Sequence, residues 1–217
     1  MEHIKQVKLE SHMPVYLCIF LMILLQVAIT DKLSIGPKYM LATLEFLLIF
    51  GATITHPGSA LRSHRLRRIF SLSVVLIVTF TNIASLVLVS AYLIEGKSIP
   101  GHTLILSAFA IYLTNILIFG LWYWELDSPG LSGYKEPTRG PDFLFPQMTA
   151  RSVDPALSQW TPSFFDYLYI SVTSATAFSP TDAMPLTHPA KLLMSIQSLT
   201  SLATVTLVAA RAVNILS

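Results

Sequence analysis

Residues 11–30, 69–94 and 98–124 carry no charged side chain, and Glu45 alone interrupts 39–61. Uncharged apolar stretches of about 20 residues match the hydrocarbon core of a bilayer, roughly 30 Å thick. The composition agrees, with 53% hydrophobic and only 12% charged residues, about half the charged fraction of an ordinary soluble domain. A disulfide-stapled secreted scaffold is excluded by the single Cys18. Nucleic acid is not an expected partner, because the net charge of +2 comes from scattered residues and forms no basic face. The chain is expected to be an all-α, polytopic integral membrane protein whose main partner is the lipid bilayer.

The first transmembrane helix is expected at 14–30, where the apolar run exceeds that of a usual signal peptide and further spans come after it. Others are expected at 38–56, 69–94 and 103–124. The last of these ends in Trp122, Tyr123 and Trp124, an aromatic group suited to the headgroup level. A final span at 190–213 carries Lys191 near one end and Arg211 near the other. Between them, 125–163 holds 8 of the 26 charged residues among many Pro, Gly and Ser, and is expected in water. The segment 164–180, FFDYLYISVTSATAFSP, is apolar but overlaps a run of only 15 consecutive uncharged residues, Tyr167 to Thr181. That is short for a crossing. Pro180 ends the apolar pattern, and Pro185 and Pro189 punctuate the link to the last helix. The pattern predicts five transmembrane helices plus one short re-entrant helix; six transmembrane helices is the alternative.

Arginines orient the first four helices. Arg62, Arg65, Arg67 and Arg68 come after the second, whereas Lys97 stands alone after the third. The positive-inside rule then places the amino terminus, 57–68 and 125–163 in the cytoplasm. A re-entrant 164–180 leaves the carboxyl terminus outside, and a full sixth span brings it inside.

Polar side chains within the apolar runs are the candidate functional residues, because intramembrane polarity is costly. Glu45 is the one carboxylate there, and Gln26 in the preceding helix is at a depth to hydrogen-bond with it. Asn82 and Asn115 fall near the middle of their spans and meet if those helices are antiparallel neighbours. Gln197, Ser201 and Thr204 share one face of the last helix. That face serves either an aqueous path or close packing between helices. No HExxH or Cys/His ligand spacing occurs, and Asp166, Asp182 and His188 are the sole clustered acid–base groups. No enzymatic activity, metal or cofactor is expected.

Residues 164–214 contain a more specific order of features. Asp166 and Tyr169 precede Ser171, Thr173 and Thr176, then come Asp182 and Pro185, then Lys191, Leu192 and Leu193 at the start of the last helix. This resembles the pore module of the two-transmembrane potassium-channel superfamily, with 103–124 in the outer-helix role. It is also similar to uncharacterised bacterial membrane proteins with a degenerate pore-like hairpin. The resemblance implies 1–102 as a three-helix membrane region and 103–217 as outer helix, soluble link, re-entrant helix and inner helix. It further implies a pore-like segment of Thr173, Ser174, Thr176, Ala177, Phe178, Ser179, Pro180, Thr181 and Asp182. A homo-oligomer of four copies, monovalent cations as ligands and a bacterial inner membrane are implied by the same analogy.

The filter positions depart from that family. Where it has Thr-Val-Gly-Tyr-Gly, this chain has Ala177, Phe178, Ser179, Pro180 and Thr181. Both glycines are missing, and Pro180 has a fixed φ and no amide hydrogen. The expectation is a weakly selective cation channel and not a highly potassium-selective one. A secondary transporter built on Gln26, Glu45, Asn82 and Asn115 is one alternative. A non-conducting scaffold that binds partners through 125–163 is the other.

Overall fold

The structure is a computed structural model and describes residues 13–28, 43, 61–94, 100–130, 140–176 and 183–216. The second expected span, Glu45 and the segment 177–182 lie outside the described residues. Six helices are described: α1 (Met13–Ala28), α2 (Leu61–Ile94), α3 (Gly101–Asp127), the single turn α4 (Pro146–Thr149), α5 (Phe164–Thr176) and α6 (His188–Leu216). Two-residue strands β1 (Phe143–Leu144) and β2 (Met184–Pro185) pair antiparallel, with Phe143 opposite Pro185 and Leu144 opposite Met184.

Local chemistry sets these limits. No Gly or Pro occurs in 61–94, so nothing breaks the 34-residue α2. Pro100 precedes α3, and Ser128, Pro129 and Gly130 end it in a turn where Gly130 adopts φ +61°. A Cβ on Gly130 would lie 1.6 Å from Glu125 Oε2, so the carboxylate occupies the space that a side chain would need. α5 starts at a capping pair: Asp166 Oδ2 accepts from both the Ser163 amide and the Ser163 hydroxyl at 2.7 Å. Thr187 Oγ1 accepts from the Ala190 amide at 3.4 Å and so caps α6.

Three described helices are long and apolar enough to cross a membrane: Ser71–Leu93 in α2, His102–Asp127 in α3 and His188–Ala210 in α6. This chain is an integral membrane protein. α1 has 16 residues, about 24 Å at 1.5 Å per residue, and α5 has 13, about 20 Å. Both fall short of the hydrocarbon thickness.

α3 is the central element, with 72% of its 18-residue apolar stretch buried against 17% for that of α6. Val15, Cys18, Ile19 and Met22 of α1 share a core with Val74, Val75 and Val78 of α2 and Ile118, Phe119 and Leu121 of α3. Trp122 Nε1 donates to Thr79 Oγ1 at 2.9 Å, while Val89 clusters with Leu104, so α2 and α3 run antiparallel. α5 and α6 pack on α3 and on each other. Gly120 makes the α3–α5 approach close: a Cβ there would come within 3.1 Å of Leu168 Cδ1 and 3.3 Å of its Cα.

Contacts along the helices fix their directions. Tyr167 meets Asp127 and Ser171 meets Ile116, so α5 runs antiparallel to α3. Ser171 meets Gln197 and Ser174 meets Ser198, so α5 runs parallel to α6. The amino ends of α2, α5 and α6 and the carboxyl end of α3 therefore share one end of the bundle. The chain descends along α5 and is back at that end by Met184, where β2 pairs with β1.

The same end corrects one expectation. Residues 151–156 are exposed, as expected of a segment in water, but Glu125, Asp127, Asp142, Phe143 and Phe145 are buried. An aromatic cluster covers them, including Tyr123–Phe143 at 5.1 Å, Phe145–Tyr167 at 5.4 Å and Phe145–Trp160 at 5.6 Å between ring centroids. Offset and edge-on aromatic pairs of this kind add about 1 kcal/mol each beyond area burial. Charge content alone does not separate a solvated carboxylate from one that accepts the hydrogen bonds of a folded loop.

Candidate functional site

Two polar clusters flank α5. The deeper one joins three helices. Gln197, fully buried on α6, uses both ends of its amide. Its Oε1 accepts from the Tyr123 hydroxyl of α3, and its Nε2 donates to Ser171 O at 2.8 Å and Ser171 Oγ at 2.6 Å on α5. Ser171 Oγ in turn donates to Ile116 O of α3 at 2.6 Å. One turn away, Asn115 Nδ2 donates to Ser201 Oγ at 2.8 Å and to Gln197 O at 3.4 Å. Ser198 Oγ donates to Ser174 O at 3.2 Å, a carbonyl in the last turn of α5, where the helix itself supplies no donor.

The second cluster lies at the end where α5 begins. Asp127 Oδ2 accepts from the Tyr167 hydroxyl at 2.9 Å, and Asp127 Oδ1 from the Asp142 amide at 2.6 Å. Asp142 Oδ1 accepts from Thr187 Oγ1 at 2.5 Å, and the Asp142 carbonyl from the Leu186 amide at 2.8 Å. This chain of bonds links the carboxyl end of α3, the β1–β2 pair, α5 and the start of α6.

The residues singled out from sequence separate accordingly. Gln197 and Ser201 belong to the deep layer, while Thr204, equally buried, donates to Thr200 O of its own helix at 2.8 Å. Their common face is thus turned inward against α3 and α5. Asn115 bonds to α6, and Asn82 Oδ1 has no partner among the described residues. The Thr79–Trp122 contact places Asn82 about one turn from the level of Asn115. Gln26 keeps both amide atoms unpartnered among the described residues; Glu45, its expected partner, lies outside them. Thr173 and Thr176 are half-buried and back-bond to carbonyls of α5, from Tyr169 and Ile170 at 3.0 Å and from Val172 and Thr173 at 3.1 and 3.2 Å. Ser174 is buried, with its hydroxyl unpartnered among the described residues. Ala177, Phe178, Ser179, Pro180, Thr181 and Asp182 lie outside the described residues.

Sequence reasoning misses Tyr123, Ser198 and the Asp127–Tyr167–Asp142–Thr187 chain as members of these clusters. Tyr123 has the sequence setting of an interfacial aromatic, yet it is fully buried. Its place eight residues after Asn115, through Phe119, puts it broadly on the same side of α3, and that spacing is the signal that could have found it.

The deep layer consists of amides, hydroxyls and backbone carbonyls. Its side chains are engaged with one another or with carbonyls of a neighbouring helix. Among the described residues no cluster of His, Cys, Asp and Glu has metal-holding geometry. No family model, curated protein or solved structure matches the chain.

Proposed function

We propose that this protein is a channel-like membrane protein in which α5 re-enters the bilayer and α6 forms the adjoining inner helix of a weakly selective cation pathway. One observation carries the reading. The 13-residue α5 descends beside a polar layer, and the chain is back at its starting end by β2. The carboxyl end of α5 points toward the middle of the bundle, and the negative end of a helix dipole favours a cation there. The sequence resemblance supports four copies around an axis and a bacterial inner membrane. The arginine-rich amino end of α2 supports a cytoplasmic placement of the hairpin end.

Purified protein in liposomes is expected to pass monovalent cations, with flux reduced at least about tenfold in Thr176→Val. Absence of flux for every cation tested, across pH and voltage, contradicts the proposal. A secondary carrier is favoured by a different observation, the unpartnered polar atoms of Gln26, Asn82 and Thr114 among the described residues, on the other side of the bundle. It predicts saturable uptake of one solute, lost in Glu45→Gln or Asn82→Leu and unaffected in Thr176→Val.

A further inference from the structure

All seven threonines of α2, α5 and α6 turn their hydroxyls back onto their own helix, each bonding to a carbonyl three or four residues earlier. That is the usual way for a hydroxyl to be satisfied inside a helix. Thr114 of α3 differs: it is fully buried, and its Oγ1 has no partner among the described residues. Both amide atoms of Gln26 on α1 are shielded from solvent and are likewise unpartnered among the described residues. Buried polar atoms almost always have a protein or water partner, so these two side chains mark a place where something binds.

The stripes that carry them face each other. Gln26 continues the buried stripe Val15, Ile19 and Met22 of α1, and Thr114 lies between Ile111 and Ile118 on the buried stripe of α3. Cys18 Sγ donates to the Leu117 carbonyl at 3.8 Å, and Leu25 packs with Ala110 and Ile111, so α1 and α3 run antiparallel. Gln26 is then level with Phe109 or Ala110, about 6–8 Å along the axis from Thr114. Helical side chains lean toward the amino end of their helix, so in this antiparallel pair the two lean toward one another. A water bonded on both sides spans about 5–6 Å between polar atoms, which suits the remaining gap. An amide and a hydroxyl each donate and accept, as water does. No Asp, Glu, Lys or Arg occurs in 11–30 or 98–124 to favour an ion. We propose that Gln26 and Thr114 hold an ordered water between α1 and α3. The site does not rest on the cation pathway, which runs along α5 and α6; a carrier would use the same two groups by displacing the water.

The chain carries its own reporter. Met22 is only 1% exposed, stands one turn before Gln26 on the same stripe, and is level with Leu113. Hydroxyl radicals made by X-ray radiolysis of a bound water attack the nearest side chains, and a thioether is readily oxidised to the sulfoxide. Full-length protein in lipid nanodiscs is given microsecond X-ray pulses, and mass spectrometry counts sulfoxide at each methionine. In wild type, Met22 should oxidise within about tenfold of the rate of exposed Met184. Hydrogen peroxide reports access from bulk solvent, and with it Met22 should lag Met184 at least about a hundredfold. Thr114→Val and Gln26→Leu should each lower X-ray labelling of Met22 at least about threefold, and the double variant about tenfold, with Met184 unchanged. Thr114→Ser should keep most of the labelling. No X-ray labelling of Met22 in wild type overturns the proposal, as does labelling that survives the double variant. Equal peroxide reactivity of Met22 and Met184 would show a gap open to bulk solvent and also overturn it. If the double variant fails to fold, wild type and the comparison of Thr114→Val with Thr114→Ser decide.

Discussion

The two sides of α3 are built differently. Toward α1 and α2 it packs through Val, Ile, Met and Phe side chains, with Trp122–Thr79 as a polar bridge. Toward α5 and α6 its polar groups are tied to both helices, by Tyr123 and Asn115 to α6 and by Asp127 and the Ile116 carbonyl to α5. The difference originates in the solvent. Lipid tails are as apolar as Leu, so apolar packing gives a short helix little reason to stay among its neighbours. A helix that crosses fully is held in the bilayer by its own length. α5, at about 20 Å, lacks that length and is held by directional bonds and by the close approach at Gly120.

Breaking the bonds on the α5 side should therefore cost more than polar substitutions on the other. The largest effect is expected for Asp127→Ala, which leaves the Tyr167 hydroxyl and the Asp142 amide without their shared acceptor. Hydrogen bonds to a carboxylate lost in a buried site cost about 3 kcal/mol together, and reversible SDS unfolding in mixed micelles measures it. Gln197→Leu should come next at about 2 kcal/mol, since Tyr123 and Ser171 both lose their partner. Gly120→Ala should cost about 1 kcal/mol, because Leu168 Cα stands 3.3 Å from the new Cβ and only a shift of α5 relieves it. Asn82→Leu, on the opposite side, should change stability by no more than about 0.5 kcal/mol. Equal costs for Asn82→Leu and Gln197→Leu would erase the distinction between the two sides.

Much of this architecture is readable from the chain because the bilayer imposes length. The runs at 69–94 and 103–124 correspond to α2 and α3, and the short run from Tyr167 to Thr181 marks the odd element. Ser163 and Asp166 also carry an ordinary capping signature. The inward direction of the Gln197–Ser201–Thr204 face is not readable, since helical spacing groups residues without naming the neighbour. Asn115 likewise can be assigned a depth but no partner, because α2 and α6 both pass it. The β1–β2 pair is hidden because two-residue strands have no period to detect. Buried Asp127 and Asp142 look like solvated link residues for a related reason: their partners are far away in sequence.

The central claim is that the chain enters and leaves along α5 at one end of the bundle. Single cysteines at Thr149 and Leu186, both exposed, bracket that path in a Cys18→Ser background. In sealed, uniformly oriented vesicles a membrane-impermeant maleimide should label both from the same side. Labelling of the two positions from opposite sides would show that α5 and 177–182 cross the membrane, and would contradict the account.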